Sequence, residues 1–248
     1  MTTTTLVVGA TGATGKYVVL LLLSRGQNVK AIVRFRELLW SLLPEKYHYD
    51  SHLTIIESNI LDMSPEELST HVQGCDAVVS CLGHTMSLQG IWGPPFRLVT
   101  DATQRLTEAA AADKPNKPRK YILMNTEGVA YPKDDQRWWL ERLILWLLRC
   151  LVPPHADNEE AANYLYKNYS ETNPYLEWSV IRPTNLINGD VSDYQIFPKP
   201  PGSLFGTKTV TRANVALFMV DLVLDDNLWS QHKFQMPVIH DKGHEKVE

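Results

Sequence analysis

The chain opens on an alternation of apolar and glycine-rich segments that predicts a strand, a turn, a helix and a second strand. The apolar run at residues 6–8 is followed by Gly9, Gly12 and Gly15, then by an apolar helix pattern, then by a second apolar run that ends at Arg34. The unit has about thirty residues, which is the size of a β-α-β unit. The pattern therefore predicts two parallel strands joined by a helix.

Further strands and helices alternate along the rest of the chain. Apolar runs predict strands at residues 54–57, 76–83, 121–126 and 178–182. Ser64, Pro65 and Glu67 form a capping pattern that predicts a helix start, and residues 96–112 predict a further helix. This order predicts an α/β fold of the Rossmann type, a doubly wound parallel sheet with helices on both faces.

The carboxyl ends of parallel strands meet at one edge of a sheet, and ligands bind there at the point where the strand order reverses. We therefore expect the residues that follow the predicted strands to gather at one edge. They are residues 9–15, Arg34, Asn59, residues 81–84, residues 125–126 and residues 182–185.

The segment from Trp138 to Val152 combines three tryptophans with apolar residues at helical spacing. It is too short and too charged to span a bilayer. Three interpretations remain for its apolar face: packing into the core, a homodimer surface or substrate lid, and contact with a membrane surface. The face comprises Leu140, Leu143, Ile144, Leu147, Leu148 and Leu151.

Composition narrows the possible partners of the chain. The 248 residues carry 24 basic and 28 acidic side chains, a net charge of −4, which gives no basic field for nucleic acid. Cys75, Cys81 and Cys150 form no close pair, so reduced thiols in a cytoplasmic protein are expected. The N-terminal sequence has no signal-peptide pattern, and no metal-binding spacing such as HExxH occurs.

The glycine-rich turn and Arg34 together indicate a phosphate ligand. The turn brings backbone N–H groups and a helix N-terminus together, which favours a bound pyrophosphate. Arg34 stands where an NAD-binding protein usually carries an acid, and its guanidinium suits a phosphate dianion. Arg36 is a second candidate for that contact, and a solvated strand end is the alternative role of Arg34. We expect a dinucleotide, and NADP(H) rather than NAD.

The chain resembles the atypical short-chain dehydrogenase/reductases, in particular the NmrA-like and flavin- or biliverdin-reductase-like NADP-binding proteins. The resemblance is carried by GATGATG at 9–15, Arg34, CLG at 81–83, the Arg182-Pro183 pair and TRANVA at 211–216. It implies one NAD(P)-binding Rossmann domain over residues 1–248. Residues 190–248 would form a small C-terminal extension that contributes substrate-side loops.

The resemblance also implies a role for each matching residue. The pyrophosphate would lie on Gly9, Thr11, Gly12, Ala13, Thr14 and Gly15, and the 2′-phosphate on Arg34. Asn59 and Ile60 would lie against adenine, Cys81, Leu82 and Gly83 against ribose, and Pro183, Thr184 and Asn185 near the nicotinamide.

The chain departs from the wider superfamily at the catalytic pair. That superfamily uses a tyrosine followed four residues later by a lysine, and no tyrosine of this chain has lysine at that spacing. Asn125, Thr126, Tyr131 and His84 are therefore the candidate catalytic residues. His155 and Asp157 are further candidates, although Asp157 with Glu160 also has the spacing of a helix cap.

These observations predict an NADPH-dependent reductase that transfers hydride to a small conjugated or aromatic acceptor without a Tyr/Lys pair. The alternative is a regulatory protein that senses NADP and has no turnover. A third possibility is an isomerase or dehydratase that uses the bound dinucleotide transiently.

Overall fold

The computed structural model describes residues 2–85, 87–132, 138–202 and 208–242. The strands in these ranges are β1 (Thr4–Val8), β2 (Asn28–Val33), β3 (Leu53–Glu57), β4 (Ala77–Ser80), β5 (Arg119–Met124), β6 (Leu176–Pro183), β7 (Asn185–Ile187), β8 (Tyr194–Phe197), β9 (Thr209–Thr211) and β10 (Val238–Asp241). The helices are α1 (Gly15–Ser24), α2 (Arg36–Leu42), α3 (Pro65–Val72), α4 (Leu88–Trp92), α5 (Leu98–Ala112), α6 (Trp139–Leu151), α7 (Pro153–Asn168), α8 (Arg212–Leu224) and α9 (Asp226–His232).

Eight strands form one sheet in the order β3-β2-β1-β4-β5-β6-β10-β8. All neighbours pair in parallel except β8, which runs antiparallel to β10 at the edge. The strand order reverses between β1 and β4, so the crevice for a ligand opens beyond their carboxyl ends. The predicted doubly wound α/β fold is confirmed.

Both faces of the sheet are buried because side chains alternate along its strands. In β1, Leu6 and Val8 belong to one hydrophobic core and Val7 belongs to the other. On the first face, α5 packs between α3 and α7. On the second face, α1 packs against α8. The two cores hold the carboxyl ends of the strands in fixed positions.

Helix α3 begins as its sequence pattern predicts. The Ser64 hydroxyl accepts from the Glu67 backbone N–H at 3.1 Å, and the Glu67 carboxylate accepts from the Ser64 N–H at 2.7 Å. Pro65 occupies the first helical position, where no N–H is needed. This reciprocal capping box begins the helix that connects β3 to β4, and it confirms the predicted helix start.

Four strands in the C-terminal third were not predicted. Strands β8 and β10 extend the main sheet, and β7 pairs with β9 in a separate two-stranded sheet. Residues 190–242 therefore contain sheet and core elements as well as loops. Residues 203–207 and 243–248 of the predicted extension lie outside the described residues.

Helix α6 corrects one interpretation made from the sequence. The segment is helical as predicted, but none of its thirteen residues is buried, and it packs mainly on α7. Trp139 is 63% exposed, Trp146 58% and Leu151 66%. The interpretation as a face packed into the core is therefore wrong. The chain leaves a broad apolar surface on this helix in contact with solvent.

Candidate functional site

The turn after β1 is shaped by glycines that leave no room for a side chain. Gly9 has φ +73°, and a Cβ built on it would lie 2.5 Å from the Cys81 carbonyl oxygen. A Cβ on Gly15 would overlap the Gly9 carbonyl oxygen. The Gly12 N–H donates to that same oxygen at 2.9 Å, which closes the turn at the start of α1. The backbone is thus open to a ligand at the N-terminus of a helix.

A cavity of about 520 Å³ lies beyond this turn, at the predicted edge of the sheet. Among its lining residues are nine of the predicted cofactor residues: Gly9, Thr11, Gly12, Arg34, Asn59, Ile60, Cys81, Leu82 and Gly83. They come from the ends of β1, β2, β3 and β4. The topology of the sheet thus brings four separate stretches of sequence together.

The other predicted cofactor residues do not line this cavity. Ala13, Thr14 and Gly15 lead from the turn into α1, and the Thr14 side chain makes no capping hydrogen bond. Pro183 ends β6, while Thr184 Oγ1 and Asn185 Nδ2 donate to the Lys208 carbonyl at 3.1 Å and 3.2 Å. These two hydrogen bonds connect Thr184 and Asn185 to the residue directly before β9.

Arg34 and Arg36 lie in different surroundings although only one residue separates them. Arg34 is exposed and lines the cavity. Arg36 begins α2, lies 4.0 Å from the Glu57 carboxylate and covers the ring of Trp40 at 5.6 Å. Arg36 is not among the residues that line the cavity, and its role as a second phosphate contact stays a prediction.

The remaining cavity residues differ in chemistry. Asn59 Nδ2 donates to Asp62 at 2.9 Å, and its Oδ1 accepts from the Leu61 N–H at 3.4 Å. Burial raises the pKa of the Cys81 thiol to about 12. Cys81 is therefore a neutral thiol at physiological pH and acts as part of the cavity wall, since only the thiolate is a nucleophile.

The carboxyl end of β5 carries Asn125 and Thr126, both predicted as catalytic candidates. Asn125 Nδ2 donates to the Asn158 carbonyl at 2.9 Å, and its Oδ1 accepts from the Thr126 N–H at 2.9 Å. A Cβ on Gly128 would lie 3.2 Å from the His155 ring and 3.7 Å from Thr126 Oγ1. The His155 ring and the Thr126 hydroxyl thus flank Gly128 at this strand end. Both polar atoms of the Asn125 side chain bond backbone groups.

The structure contradicts the prediction of Tyr131 as a catalytic residue. Its side chain is 1% exposed, its hydroxyl donates to the Phe234 carbonyl at 3.0 Å, and its ring meets Tyr166 edge-on at 6.0 Å. A phenol held this way belongs to the hydrophobic core and does not reach the cavity. We therefore remove Tyr131 from the catalytic candidates.

His84 lines the cavity directly after Gly83 and contacts Asp157 of α7. Its Nε2 lies 2.7 Å from Asp157 Oδ2, with the two side chains 6% and 0% exposed. The expected capping of α7 by Asp157 is corrected, because α7 already begins at Pro153. The Asp157 carboxylate instead accepts from the N–H groups of Val99 and Thr100 at the start of α5.

Several lining residues were assigned no cofactor role from the sequence. The segment between His84 and α5 contributes Thr85, Ser87, Gln89, Gly90, Gly93, Pro94 and Pro95, and α5 contributes its first residue, Leu98. The glycines at 90 and 93 and the two prolines are typical of a loop and indicate no cofactor contact. Within the described ranges, no helix has both the length and the apolar character needed to cross a membrane. Nor does any cluster of three His, Cys, Asp or Glu side chains there suit a metal ion.

The comparisons with known structures agree with this fold. The chain is 16% identical to ChuY, an anaerobilin reductase from Escherichia coli O157:H7, over 99% of this chain and 100% of that one, with a TM-score of 0.66. The oxidoreductase ylbE from Lactococcus lactis is 20% identical over 96% and 91%, with a TM-score of 0.67. A protein of Streptococcus pneumoniae TIGR4, proposed to be an NADH-flavin reductase, is 17% identical over 97% and 100%, with a TM-score of 0.65.

Sequence comparison adds the family. No curated protein matches this chain. A family model described as NAD(P)H-binding matches residues 9–226, from the first glycine of the turn to the start of α9. The match covers most of the chain and includes Gly9 and the residues that line the cavity after β2, β3 and β4. The chain therefore belongs to the NAD(P)H-binding family.

Proposed function

We propose that this protein is an NADPH-dependent oxidoreductase that reduces a small conjugated or aromatic acceptor. The observation that carries the proposal is the exposed guanidinium of Arg34 on the same cavity as the glycine turn. A cation at the end of β2 suits the 2′-phosphate that distinguishes NADPH from NADH. The bound cofactor would supply the hydride.

The cavity residues suit the parts of a dinucleotide. A Cβ on Gly9 would fill the space beside Cys81, so the bare backbone at this turn admits a pyrophosphate at the start of α1. Asn59 and Ile60 at the end of β3 are the proposed adenine contacts, and Cys81, Leu82 and Gly83 the proposed ribose contacts. The protein orients the dinucleotide and excludes water from it.

The substrate end is proposed to lie beyond β5. The Thr126 hydroxyl and the His155 ring flank Gly128 there. The hydroxyl and the imidazole are groups that can hydrogen-bond an acceptor and pass it a proton. For flavin-like or quinone-like acceptors, solvent can supply the proton, so the missing Tyr/Lys pair is compatible with turnover. Reductases among the structural neighbours support this class of reaction.

The experiment that tests this function combines binding with turnover. The purified protein is titrated with NADPH and with NADH, and NADPH absorbance is then followed with quinones, flavins and enones. We expect preferential NADPH binding, with a dissociation constant on the order of micromolar, and oxidation by at least one acceptor class. Binding without oxidation by any acceptor would support the NADP-sensing protein. Conversion of a substrate without net loss of NADPH would support the isomerase or dehydratase.

A second copy of the chain is the proposed partner of α6. The exposed tryptophans and leucines of this helix form the kind of apolar patch that marks an interface. We expect sedimentation velocity to detect a dimer whose dissociation constant rises roughly thirtyfold or more in Trp146→Lys, because a central tryptophan contributes about 2 kcal/mol or more.

The matched control for that experiment is Tyr49→Lys, because Tyr49 is 91% exposed but belongs to the region of α2 and β3. We expect this variant to dimerise like the unmodified protein. A protein that sediments as a monomer at every concentration would contradict the proposed dimer without bearing on the cofactor site.

A further inference from the structure

The wall of the cavity between β4 and α5 has little hydrophobic support of its own. Among its described residues, 85 and 87–97, none is buried. Its two ends nevertheless converge on one side chain of another helix. His84, at the start, and the N–H groups of Val99 and Thr100, just after the end, all meet the carboxylate of Asp157.

The hydrogen bonds around Asp157 determine which ring nitrogen of His84 carries the hydrogen. Its Oδ2 lies 2.8 Å from the Val99 N, and its Oδ1 lies 2.9 Å from the Thr100 N. Thr100 Oγ1 also donates to the Asp157 carbonyl at 2.9 Å, which ties α5 to α7 at this point. A carboxylate only accepts hydrogen bonds, so His84 Nε2, 2.7 Å from Oδ2, carries the hydrogen.

A neutral histidine protonated on Nε2 has an unprotonated Nδ1, which accepts a hydrogen bond. His84 lines the cavity that holds the glycine turn, and the hydroxyl groups of a dinucleotide are hydrogen-bond donors. We propose that Asp157 is a positioning residue of the dinucleotide site. It holds His84 in the Nε2–H form, so that Nδ1 accepts a hydrogen bond from a ribose hydroxyl of the bound dinucleotide.

The proposal rests on dinucleotide binding and needs no turnover. The start of α5 fixes the carboxylate, the carboxylate fixes the imidazole, and the imidazole contacts the ligand. Asp157→Asn weakens this sequence of contacts, because the neutral amide has one acceptor oxygen for three donors: the N–H groups of Val99 and Thr100 and Nε2 of His84. An imidazole that is no longer held by a carboxylate populates the Nδ1–H form, and Nδ1–H then faces the ribose hydroxyl as a donor facing a donor.

Two substitutions of His84 distinguish the roles of its two ring nitrogens. In His84→Gln, the amide NH₂ stands near the position of Nε2 and keeps a donor for Asp157, while the acceptor at Nδ1 is lost. In His84→Asn, the shorter side chain reaches only the position of Nδ1 and loses Asp157. Glu160→Gln is the matched control, since Glu160 lies on the same helix and pairs with Arg97.

The test uses the full chain with NADPH as the probe, by calorimetric titration. We expect Asp157→Asn and His84→Gln each to raise the dissociation constant about five- to tenfold, as for one hydrogen bond, and Glu160→Gln to leave it unchanged. In the double variant, Asp157→Asn is expected to add less than about twofold to His84→Gln, because its effect passes through His84. An equal effect in both backgrounds would mean that Asp157 only supports α5, and would overturn the proposal.

A second measurement stands even if Asp157→Asn does not fold. Nitrogen-15 NMR of the histidine rings distinguishes the two neutral tautomers, and the spectrum of His84→Gln assigns the His84 signals. We expect the Nε2–H form in the free protein. Finding the Nδ1–H form would overturn the proposal whether or not the protein reduces any acceptor.

Discussion

Gly9→Ala is expected to abolish dinucleotide binding and to lower the melting temperature. A non-glycine residue at φ +73° costs roughly 1–2 kcal/mol. The new Cβ would also lie 2.5 Å from the Cys81 carbonyl oxygen and 2.8 Å from the Leu82 N, so the end of β4 must move. Such overpacking costs typically about 1–3 kcal/mol.

Together these costs correspond to a fall in melting temperature of about 4–20 °C for a chain of this size. Gly26→Ala is the matched control, because Gly26 has φ +66° but no atom within 4 Å of a built Cβ. We expect it to show only the backbone cost and to bind NADPH normally. Calorimetric melting and NADPH titration measure both effects. Normal NADPH affinity in Gly9→Ala would place the pyrophosphate elsewhere.

Arg34→Ala is expected to weaken NADPH binding about ten- to hundredfold while leaving NADH binding within about twofold. Hydrogen bonds to a charged group contribute about 1.5–3 kcal/mol, and NADH lacks the phosphate that would receive them. The effect should shrink with added salt, because Arg34 is exposed. Titrations of both cofactors at two salt concentrations measure it.

Arg36→Ala provides a close comparison for that result. Arg36 differs from Arg34 by two positions, yet it pairs with Glu57 and Trp40 and lies off the cavity. We expect it to leave the ratio of NADPH to NADH affinity unchanged. Loss of NADPH preference in Arg36→Ala, with none in Arg34→Ala, would reverse the assignment of the phosphate contact.

Features that depend on neighbours in sequence could be predicted well. The glycine turn, the capping box at Ser64 and the strand ends at Arg34, Asn59 and Cys81 each follow from local steric or hydrogen-bonding rules. Parallel topology then brings those strand ends together without further information. The fold, and the meeting of these strand ends at one cavity, were accessible for this reason.

Features that depend on distant partners could not be predicted. The spacing of Asp157 and Glu160 fits a helix cap, but only the packing of α7 on α5 reveals that Asp157 meets Val99 and His84. Tyr131 follows a strand end closely, yet the chain turns it into the core against Phe234. Strands β8 and β10 are short, and their pairing joins residues far apart in the sequence.

Periodicity also reveals an apolar face without revealing what covers it. The leucines near Trp146 have the spacing of a core helix, and in the single chain they remain in contact with solvent. A face packed into the core and an interface between chains produce the same pattern.

The exposure of α6 makes this helix a part of the fold that can unfold locally. Since the helix buries none of its residues, its unfolding in a single chain gives up little hydrophobic free energy and leaves both cores intact. We therefore expect its backbone amides to exchange hydrogen through local opening, at a free energy far below that of global unfolding. Substitutions there are nearly neutral for the stability of the isolated domain. A constraint on the sequence of this helix during evolution would therefore reflect what it binds.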